Sequence, residues 1–441
     1  MVFPLRHVVV VGASLAGLRA AETLRTSGFT GTITIVGAER HPPYDRPPLS
    51  KKVLSGEWAP ERTALRQFTV DDPLELQWRL GVAAVGLDIA RRVVTVRSVE
   101  GAECVRPVHD EDAAGHEPRT YHHHDGGDHD DEIGFDGLII ATGAEARRLA
   151  GQVVDPSIVV MRTLDDSLAL HQIVADGSKR VVVIGAGFIG LEVAATVRQL
   201  GNDVTVLEGL PAPLIRGLGA DIGTVIGEIH AEHGVDLRCN VVIESVEPGM
   251  VTLAGGERVS ADVIVVGIGV APATRWLEGS GLELRDGVVC DATLNVGVDG
   301  VYAAGDVARW PNELFGEEMR VEHWTNAAEQ GAAAAANLLA TSRGDPAVPY
   351  SAVPFFWSDQ YDRRVQFLGR SANHDEVRIV SGSTAARQFV ALYRRGDRLE
   401  GVFGLNSTRA LMAFRPSLST RASWDEALAV ARVQTGQSGV R

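Results

Sequence analysis

The stretch 179-KRVVVIGAGFIGLEVAATVRQLG-201 determines the fold class of this chain. An apolar, β-branched run that ends at Ile184 predicts a buried strand, and the residues after the turn predict a helix. Between them, Gly185, Gly187 and Gly190 form the pattern G-x-G-x-x-G. Such glycines let the backbone approach a pyrophosphate, which lies at the positive N-terminus of the helix. The stretch predicts a Rossmann-type dinucleotide-binding domain; the alternative is a glycine turn that only packs the helix on the strand.

An acidic residue follows at the spacing that this domain type requires. A second strand, Val204 to Leu207, ends at Glu208, and a carboxylate about 20 residues after the first glycine accepts hydrogen bonds from a ribose. Glu208 would repel a 2′-phosphate, and the first arginine after it is Arg216, so NADH is preferred over NADPH. The predicted contacts in this half are Gly185, Gly187, Phe188, Ile189, Gly190, Glu208, Arg216, Gly267 and Gly269.

A second copy of this pattern opens the chain at 7-HVVVVGASLAGLRAAETLRTSG-28, where serine replaces the middle glycine. The strand Thr32 to Val36 follows, and Glu39 after it suits a ribose 2′-hydroxyl. Two such folds in one chain predict two dinucleotides that meet at their reactive rings, a tightly held flavin and a diffusing nicotinamide. Later strands also end in glycine turns, and in Gly300 to Arg309 the acid after Gly305 can accept from a ribityl hydroxyl.

Length, charge and cysteine content exclude several classes of protein. The 441 residues exceed one ordinary core, so two or three domains are expected. The net charge of −15 argues against a general nucleic-acid binder. Cys104, Cys239 and Cys290 are far apart, so neither a disulfide framework nor a C-x-x-C site is expected. The chain has no apolar run of membrane-spanning length and no signal-peptide pattern at its start, so we expect a cytoplasmic protein.

A set of ordered motifs resembles one known family. The motifs are GASLAG, YDRPPLSK, ATGA, GAGFIGLE, GIGVAP, YAAGDVA, EHWTNAAEQG and VPFFWSDQYD. They occur in the order seen in oxygenase-coupled, FAD-dependent NADH:ferredoxin reductases, the family of putidaredoxin reductase, rhodocoxin reductase and the dioxygenase ferredoxin reductases. The resemblance covers nearly the whole chain except residues 105 to 133. It implies hydride transfer from NADH to FAD, and then transfer of single electrons to a 2Fe–2S ferredoxin that serves a cytochrome P450 or a ring-hydroxylating dioxygenase.

The resemblance also implies an α/β, glutathione-reductase-like architecture. It has two Rossmann-type dinucleotide-binding domains and an α+β C-terminal domain. We expect the first part of the FAD domain at 1–148 and the NADH domain at 149–269. The second part of the FAD domain should cover 270–330, and the C-terminal reductase domain 331–441. The chain is expected to act as a monomer or a homodimer, without nucleic acid or membrane.

The proline-rich loop 41-HPPYDRPPLSKKVL-54 acquires a role from this resemblance. Proline fixes φ, so the loop is stiff. Arg46 would face the FAD pyrophosphate, and Lys51 would lie near flavin N5, where a cation stabilises developing charge. Glu192 would pair with Lys51 when the domains dock. The alternative for Lys51 is an ordinary solvated lysine on the surface. The implied FAD contacts are Gly12, Ala13, Ser14, Leu15, Ala16, Gly17, Glu39, Arg46, Lys51, Val82, Ala141, Thr142, Gly143, Arg147, Asp306, His323 and Trp324.

Three of these residues carry implied catalytic roles: Lys51, Glu192 and Trp324. Trp324 resembles the family tryptophan at the flavin ring, and ordinary core packing is the alternative. Disulfide reductases of this fold carry a cysteine pair beside the flavin, but residues 1 to 103 contain no cysteine. Electrons should therefore leave from the flavin itself. An NADH oxidase, a dye or quinone reductase and an NADH-responsive redox sensor remain alternatives to the ferredoxin reductase.

Two further segments are unusual in composition. Residues 361 to 441 hold 13 arginines, no lysine and 7 acidic residues, a balance that would steer an acidic ferredoxin; a solvated mixed surface is the alternative. Residues 107 to 132 hold six histidines and nine acidic residues. Their composition predicts disorder; binding of Zn, Ni or Cu by these histidines and carboxylates is the alternative, although their spacing defines no site.

Overall fold

The structure is a computed structural model that describes residues 4–66, 72–99, 130–151 and 153–434. Cys104 and the histidine-rich insert up to residue 129 lie outside the described residues. Among the described residues, no helix is long and apolar enough to cross a membrane. Those residues form two compact units, and the chain passes between them several times.

The strands, in chain order, are β1 His7–Val11, β2 Thr32–Gly37, β3 Gln77–Leu80, β4 Val82–Asp88, β5 Val93–Ser98, β6 Asp131–Gly134, β7 Gly137–Ile140, β8 Ala144–Ala146, β9 Ile158–Val160, β10 Arg180–Ile184, β11 Asp203–Leu207, β12 Asp236–Arg238, β13 Ile243–Glu247, β14 Met250–Leu253, β15 Arg258–Ser260, β16 Val263–Val266, β17 Val270–Pro272, β18 Val288–Val289, β19 Val301–Ala303, β20 Ala308–Asn312, β21 Glu317–Met319, β22 Phe355–Gln360, β23 Arg363–Gly369, β24 Glu376–Ser383, β25 Gln388–Arg395 and β26 Arg398–Leu405.

The α-helices are α1 Leu15–Thr26, α2 Leu164–Val174, α3 Phe188–Gln199, α4 Ile215–Leu218, α5 Ala220–Glu232, α6 Trp324–Arg343, α7 Thr408–Met412, α8 Arg415–Ser419 and α9 Trp424–Gln434. Short 3₁₀ turns occur at Pro60–Thr63, Arg275–Leu277 and Gly305–Val307. A π-helical turn spans Leu49–Val53, in which the Val53 amide donates to the Pro48 carbonyl. Nothing in the sequence pattern predicts this turn, and single π-turns are frequent at functional sites.

The first unit contains Met1–Asp45, Ala64–Ala144 and Pro272–Ala352. Its centre is a parallel sheet in the order β19-β7-β1-β2-β3. The valines of β1 are buried, as expected for a parallel strand that is covered on both faces. Helix α1 and helix α6 cross closely at Gly331. A Cβ at that position would lie 2.2 Å from the Ala16 carbonyl oxygen, so only glycine fits there. Two three-stranded sheets, β4-β5-β6 and β18-β20-β21, complete this unit.

The second unit contains Arg46–Thr63, Glu145–Ala271 and Val353–Arg441. Its parallel sheet has the order β12-β11-β10-β16-β9, and an antiparallel sheet β13-β14-β15 lies in the same segment of the chain. Two strand–turn–helix repeats, each in a five-stranded parallel sheet, confirm the prediction of two Rossmann-type folds. The loop Arg46–Thr63 groups with this unit, so the proline-rich stretch passes from one unit to the other at Asp45.

The C-terminal part of the second unit is an antiparallel sheet in the order β22-β23-β26-β25-β24, followed by helices α7 to α9. This confirms the predicted α+β character of the C-terminal region. Along β22, the side chains of Ser358 and Gln360 are buried on the face that carries Phe356. The Phe356 ring makes an edge contact with the Phe188 ring at 4.7 Å between centroids. Strand β22 thereby packs on α3, the helix that follows the second glycine turn.

Candidate active site

The first glycine turn is packed too closely for side chains at its two glycines. Gly12 has φ of +130°, and a Cβ there would lie 2.0 Å from the Ala141 carbonyl oxygen. A Cβ on Gly17 would lie 1.9 Å from the Gly12 carbonyl oxygen. The turn therefore presses against the end of β7, and Ser14 leads directly into α1. The first amides of α1, from Leu15 onward, lack helical partners and form a site for an anion such as a pyrophosphate.

The segment after β7 is fixed by hydrogen bonds to the returning chain. Thr142 Oγ1 donates to the Ala273 carbonyl at 2.8 Å, and the Ala273 amide donates to the Gly143 carbonyl at 3.0 Å. Gly305 lies against α1, since a Cβ on it would be 3.1 Å from Ala16 Cβ, and Asp306 follows directly. The structure thus brings together the residues predicted from the first glycine turn, from ATGA and from YAAGDVA.

Gln330 on α6 is a buried residue that the sequence did not single out. Its Oε1 accepts a hydrogen bond from the Gly305 amide at 2.9 Å. Its Nε2 is buried and has no hydrogen-bond partner among the described residues. A buried amide donor without a partner is costly, and a flavin carbonyl is a group that would accept from it. This orphaned donor beside Gly305 is an observation that fits FAD in the first unit.

Glu39 and Val82 belong to the same unit. The Tyr44 hydroxyl donates to Glu39 Oε2, and the Gly81 amide donates to the Glu39 carbonyl at 3.0 Å. Tyr44 belongs to the proline-rich loop, so Glu39 is oriented by that loop. Val82 is only 2% exposed and packs in the core of the unit, so a contact with a cofactor would have to come from its backbone.

Trp324 is the first residue of α6, and His323 occupies the N-cap position before it. Trp324 is half-buried, and its Nε1 donates to Asp45 Oδ1 at 2.6 Å. A charge-assisted bond of this kind fixes the orientation of the indole ring. Trp324 is therefore held at one orientation, and its place at the flavin ring stays a prediction.

The second glycine turn repeats the packing of the first. Gly185 has φ of +100°, and a Cβ there would lie 2.4 Å from the Gly267 carbonyl oxygen. A Cβ on Gly190 would lie 2.2 Å from the Gly185 carbonyl oxygen. A Cβ on Gly187 would meet nothing within 4 Å, and Ile189 is 46% exposed at the start of α3. The open space over Gly187 fits a pyrophosphate, and Ile189 offers an apolar surface beside it.

Glu208 holds this turn in place. Its Oε2 accepts from the Ala186 amide at 2.7 Å, and its Oε1 accepts from the Leu210 amide at 2.8 Å. The carboxylate therefore lies at the glycine turn, half-buried, at the position expected of a ribose ligand. Leu214 donates its amide to the Ala186 carbonyl at 3.0 Å, and Arg216, two residues later, is exposed. Gly269, with φ of +97°, lies in the turn after β16, the strand that pairs with β10.

Lys51 and Glu192 form a sheltered ion pair in the second unit. Lys51 Nζ lies 2.7 Å from Glu192 Oε2, and the two side chains are 16% and 4% exposed. Ser50 Oγ also donates to Oε2 at 2.5 Å, and Ser358 Oγ donates to Oε1 at 2.6 Å. The expected pairing of Lys51 with Glu192 is therefore present, and a solvated surface lysine does not describe Lys51. Both carboxylate oxygens accept hydrogen bonds, as buried polar oxygens require.

The two arginines predicted to contact FAD, Arg46 and Arg147, also lie in the second unit. Arg46 Nη1 donates to the Arg162 carbonyl at 2.8 Å. Arg147 is exposed; its amide donates to the Gly269 carbonyl and its Nε donates to the Val270 carbonyl, both at 2.9 Å. The structure thus joins Arg147 to the segment after β16, and the assignment of both arginines to FAD remains a prediction.

The two described cysteines are poor nucleophiles. Burial raises the pKa of the Cys290 thiol to about 12. Burial, and then the charge of Glu208, raises the pKa of the Cys239 thiol. Both thiols are free, and both stay protonated at neutral pH. Among the described residues there is also no group of three or more histidine, cysteine or acidic side chains that would hold a metal ion.

Several residues with roles in this geometry were not identified from the sequence: Asp45, Ser50, Gln330 and Ser358. Each lies inside a motif on which the family resemblance rests, YDRPPLSK, EHWTNAAEQG or VPFFWSDQYD. Membership in those motifs was the available signal. Their hydrogen-bond partners are distant in sequence, however, so no local pattern identified them.

Comparisons with known proteins extend over nearly the whole chain. The family described as pyridine nucleotide-disulphide oxidoreductase matches residues 6–331, and the reductase C-terminal family matches residues 355–434. The chain is 35% identical to rhodocoxin reductase of Rhodococcus erythropolis, covering 94% of this chain and 89% of that protein. It is 33% identical to the ferredoxin–NAD(+) reductase component of the anthranilate 1,2-dioxygenase system of Burkholderia cepacia, covering 95% of each.

A comparison with solved structures also finds a reductase of this kind. The chain resembles one in the crystal structure of the covalent putidaredoxin reductase–putidaredoxin complex, with a TM-score of 0.83 and 27% identity, covering 98% of this chain and 99% of that one. These similarities confirm the family resemblance that the motifs indicated, and they confirm the predicted fold class.

Proposed function

The chain belongs to the pyridine nucleotide-disulphide oxidoreductase family, and on that premise we propose that it is an FAD-dependent NADH:ferredoxin reductase. The relatives named above are reductases, and one of them is the ferredoxin–NAD(+) reductase component of a dioxygenase system. The observation that carries the proposal is the sheltered Lys51–Glu192 pair, in which Glu192 lies on α3, the helix after the second glycine turn. FAD, when bound, takes a hydride from NADH and returns the electrons singly to a 2Fe–2S ferredoxin.

The first unit supplies the residues that would hold FAD. The amides at the start of α1 would face the pyrophosphate, and Glu39 would accept from the adenosine ribose. Asp306 would accept from the ribityl chain, and Gln330 Nε2 would donate to the flavin ring. We propose residues 1–148 and 270–330 as the FAD domain. Arg46 would be a further pyrophosphate ligand, although residues 46–63 group with the second unit.

The second unit supplies the residues that would bind NADH. The open space over Gly187 would receive the pyrophosphate, and Glu208 would orient the adenosine ribose through its hydroxyls. A 2′-phosphate at that ribose would meet the carboxylate, so NADH is preferred. We propose residues 149–269 as the NADH domain and residues 331–441 as the C-terminal domain; residues 331–352 of the latter group with the first unit.

Lys51 and Glu192 have separate tasks in this account. Lys51 keeps a positive charge at the reacting end of the flavin, which favours charge developing there. Glu192 orients the Lys51 ammonium and balances its charge, while Ser50 and Ser358 keep the carboxylate in place. The sheltered environment makes this electrostatic effect larger than it would be in water.

The electron acceptor is proposed to be an acidic 2Fe–2S ferredoxin that serves a cytochrome P450 or a ring-hydroxylating dioxygenase. The arginine-rich segment 361–441 supports an acidic partner, because opposite charge raises the rate of encounter. Residues 1–103 contain no cysteine, so a thiol beside the flavin has no part in this route. We also propose a cytoplasmic location, where NADH is available.

An anaerobic titration tests the first half of the proposal. The purified protein should be yellow, and one equivalent of NADH should bleach its flavin absorbance, whereas NADPH at the same concentration should bleach it far more slowly. A protein without bound flavin, or one that NADH does not bleach, would contradict the proposal. Rapid reoxidation by oxygen or a quinone, with no gain from ferredoxin, would indicate the oxidase or quinone reductase instead.

A further inference from the structure

A chain of buried polar side chains continues from the Glu192 carboxylate into the C-terminal sheet. Ser358 Oγ donates to Glu192 Oε1 at 2.6 Å, and Gln360 Nε2 donates to Ser358 Oγ at 3.0 Å. Gln360 Oε1 lies 2.9 Å from His230 Nε2, and His230 Nδ1 lies 3.2 Å from the Tyr361 hydroxyl. At the far end of this chain, Tyr361 helps to line an open depression of the surface together with Arg198 and His233.

The chain of hydrogen bonds has one direction. Burial lowers the pKa of His230 to about 4, so its ring is neutral at pH 7 and carries a single N–H. Gln360 Oε1 can only accept, so His230 Nε2 carries the hydrogen and donates it. His230 Nδ1 must then accept from the Tyr361 hydroxyl. Every donor therefore points toward Glu192, which is the final acceptor.

The same arrangement favours a positioning role for these side chains over a path for proton transfer. A carboxamide does not pass a proton onward, so Gln360 interrupts any transfer between His230 and Ser358. Bonds aligned in one direction do, however, strengthen one another in a medium of low dielectric constant. The chain is therefore suited to hold the Glu192 carboxylate at one place.

The composition of this cluster is not what packing alone requires. Ser358, Gln360 and His230 are 1%, 2% and 0% exposed, and burying three polar side chains is costly unless all are satisfied. Apolar residues of similar volume would pack as well without that cost. The strand that carries Ser358 and Gln360 also places Phe356 against Phe188, which follows the second glycine turn. The polar chain ends at Glu192 and the ring contact is made by Phe188, and both of these residues lie on α3.

We propose that Ser358, Gln360 and His230 are positioning residues that hold the Glu192 carboxylate toward Lys51. Through this chain the C-terminal domain sets the geometry of the step in which NADH reduces the flavin. The kinetic part of this inference rests on the proposed function, whereas its structural part concerns only the Lys51–Glu192 distance.

The structural test is a crystal structure of Ser358→Ala. Without its donor on Oε1, the Glu192 carboxylate should turn away, and Lys51 Nζ should move from 2.7 Å to beyond about 4 Å from it. Ser358→Thr keeps the hydroxyl and should keep the pair. Ser342→Ala is the matched control, because Ser342 is also buried and its Oγ donates to the Leu339 carbonyl, away from this chain. An unchanged 2.7 Å pair in Ser358→Ala would overturn the proposal.

The kinetic test follows flavin reduction by NADH in a stopped-flow instrument. Ser358→Ala should lower the limiting rate about tenfold, the effect of losing one hydrogen bond to a charged group. The kinetic isotope effect with 4-deuterated NADH should increase, and the concentration of NADH at half-saturation should change little. Gln360→Met, which breaks the chain one link further away, should give a smaller change of the same kind.

Two results separate positioning from a general structural effect. Ser358→Thr should restore the rate, and dithionite-reduced Ser358→Ala should pass electrons to ferricyanide as fast as the unchanged protein does. Equal rates in Ser358→Ala and Ser342→Ala, or equal losses in Ser358→Ala and Ser358→Thr, would overturn the proposal. Failure of every form to reduce ferredoxin would instead count against the proposed function, while the crystal structure would still decide the inference.

Discussion

The Lys51 ammonium group lies 2.7 Å from the Glu192 carboxylate, and neither side chain is more than 16% exposed. This pair ties the π-helical turn at the end of the proline-rich loop to helix α3. Buried ion pairs seldom add net stability, because desolvation offsets their attraction. A sheltered pair with two further hydrogen-bond donors on its carboxylate, Ser50 and Ser358, is therefore better explained by chemistry than by stability.

Replacing Lys51 with methionine should slow the reduction of the flavin by NADH at least tenfold, roughly the loss from removing one preorganised electrostatic contact. FAD should remain bound, because its proposed contacts lie mainly in the first unit. The measurement is the stopped-flow decrease of flavin absorbance. Lys52→Met is the matched control, since Lys52 is exposed and pairs with Glu57 at the surface. Equal rates in Lys51→Met and the unchanged protein would remove Lys51 from the mechanism.

Gly187→Val should impair NADH binding while leaving the folded protein and its FAD intact. Gly187 has φ of −77° and open space where a Cβ would point, so the free protein can accommodate valine. The side chain would then occupy the proposed pyrophosphate site, and the NADH dissociation constant should rise tenfold or more, about 1.4 kcal/mol. Calorimetry with NAD⁺ measures this change. Unaltered affinity would place the nucleotide elsewhere.

A contrasting variant, Gly190→Ala, tests whether that effect is specific to the ligand. Its Cβ would lie 2.2 Å from the Gly185 carbonyl oxygen, so the backbone of the turn must move. We expect a lower thermal unfolding midpoint in Gly190→Ala and an unchanged midpoint in Gly187→Val.

Glu208→Gln should reduce the preference for NADH over NADPH roughly tenfold, because it removes the charge that repels a 2′-phosphate. The glutamine Oε1 can still accept from one of the two amides, Ala186 or Leu210, that Glu208 now holds. The ratio of kcat/KM for the two nucleotides measures the effect. Glu247→Gln, at the exposed end of β13, is the control. An unchanged ratio would show that Glu208 does not face the ribose.

His230 should make the protein sensitive to acid. Its pKa is about 4 in the folded protein, because burial disfavours the imidazolium ion, against 6.5 in the unfolded chain. Below pH 6.5 the unfolded state binds a proton that the folded state does not, so the free energy of unfolding falls as pH decreases toward 4. The full effect is about 3 kcal/mol.

Denaturant titrations between pH 7 and pH 4 measure this dependence. His230→Gln should flatten the pH profile relative to the unchanged protein, since the contributions of other groups cancel in the difference. His171→Gln, which removes a half-buried imidazole bonded to Leu54, controls for loss of a ring. Parallel profiles for His230→Gln and the unchanged protein would contradict the assigned protonation of His230.

Local sequence patterns were sufficient for much of the fold. The turns at Gly12 and Gly185 are identifiable because their strand, glycine and helix signals are contiguous. The pairing of Lys51 with Glu192 was expected only through the family resemblance. Nothing local predicts that Ser358 would donate to Glu192, or that Asp45 would accept from Trp324, because those partners meet only after the sheets form. The π-helical turn at Leu49–Val53 was also missed, since it depends on one hydrogen bond between Val53 and Pro48.

The most direct test of the central claim is NADH-driven reduction of cytochrome c by the purified yellow protein, with and without an acidic 2Fe–2S ferredoxin. The account predicts little activity without the ferredoxin and a rate that rises and saturates with its concentration. The stimulation should weaken at high salt, as expected for an electrostatically steered partner. Rapid bleaching of the flavin by NADH, with no stimulation by any of several acidic ferredoxins, would contradict the assignment as a ferredoxin reductase.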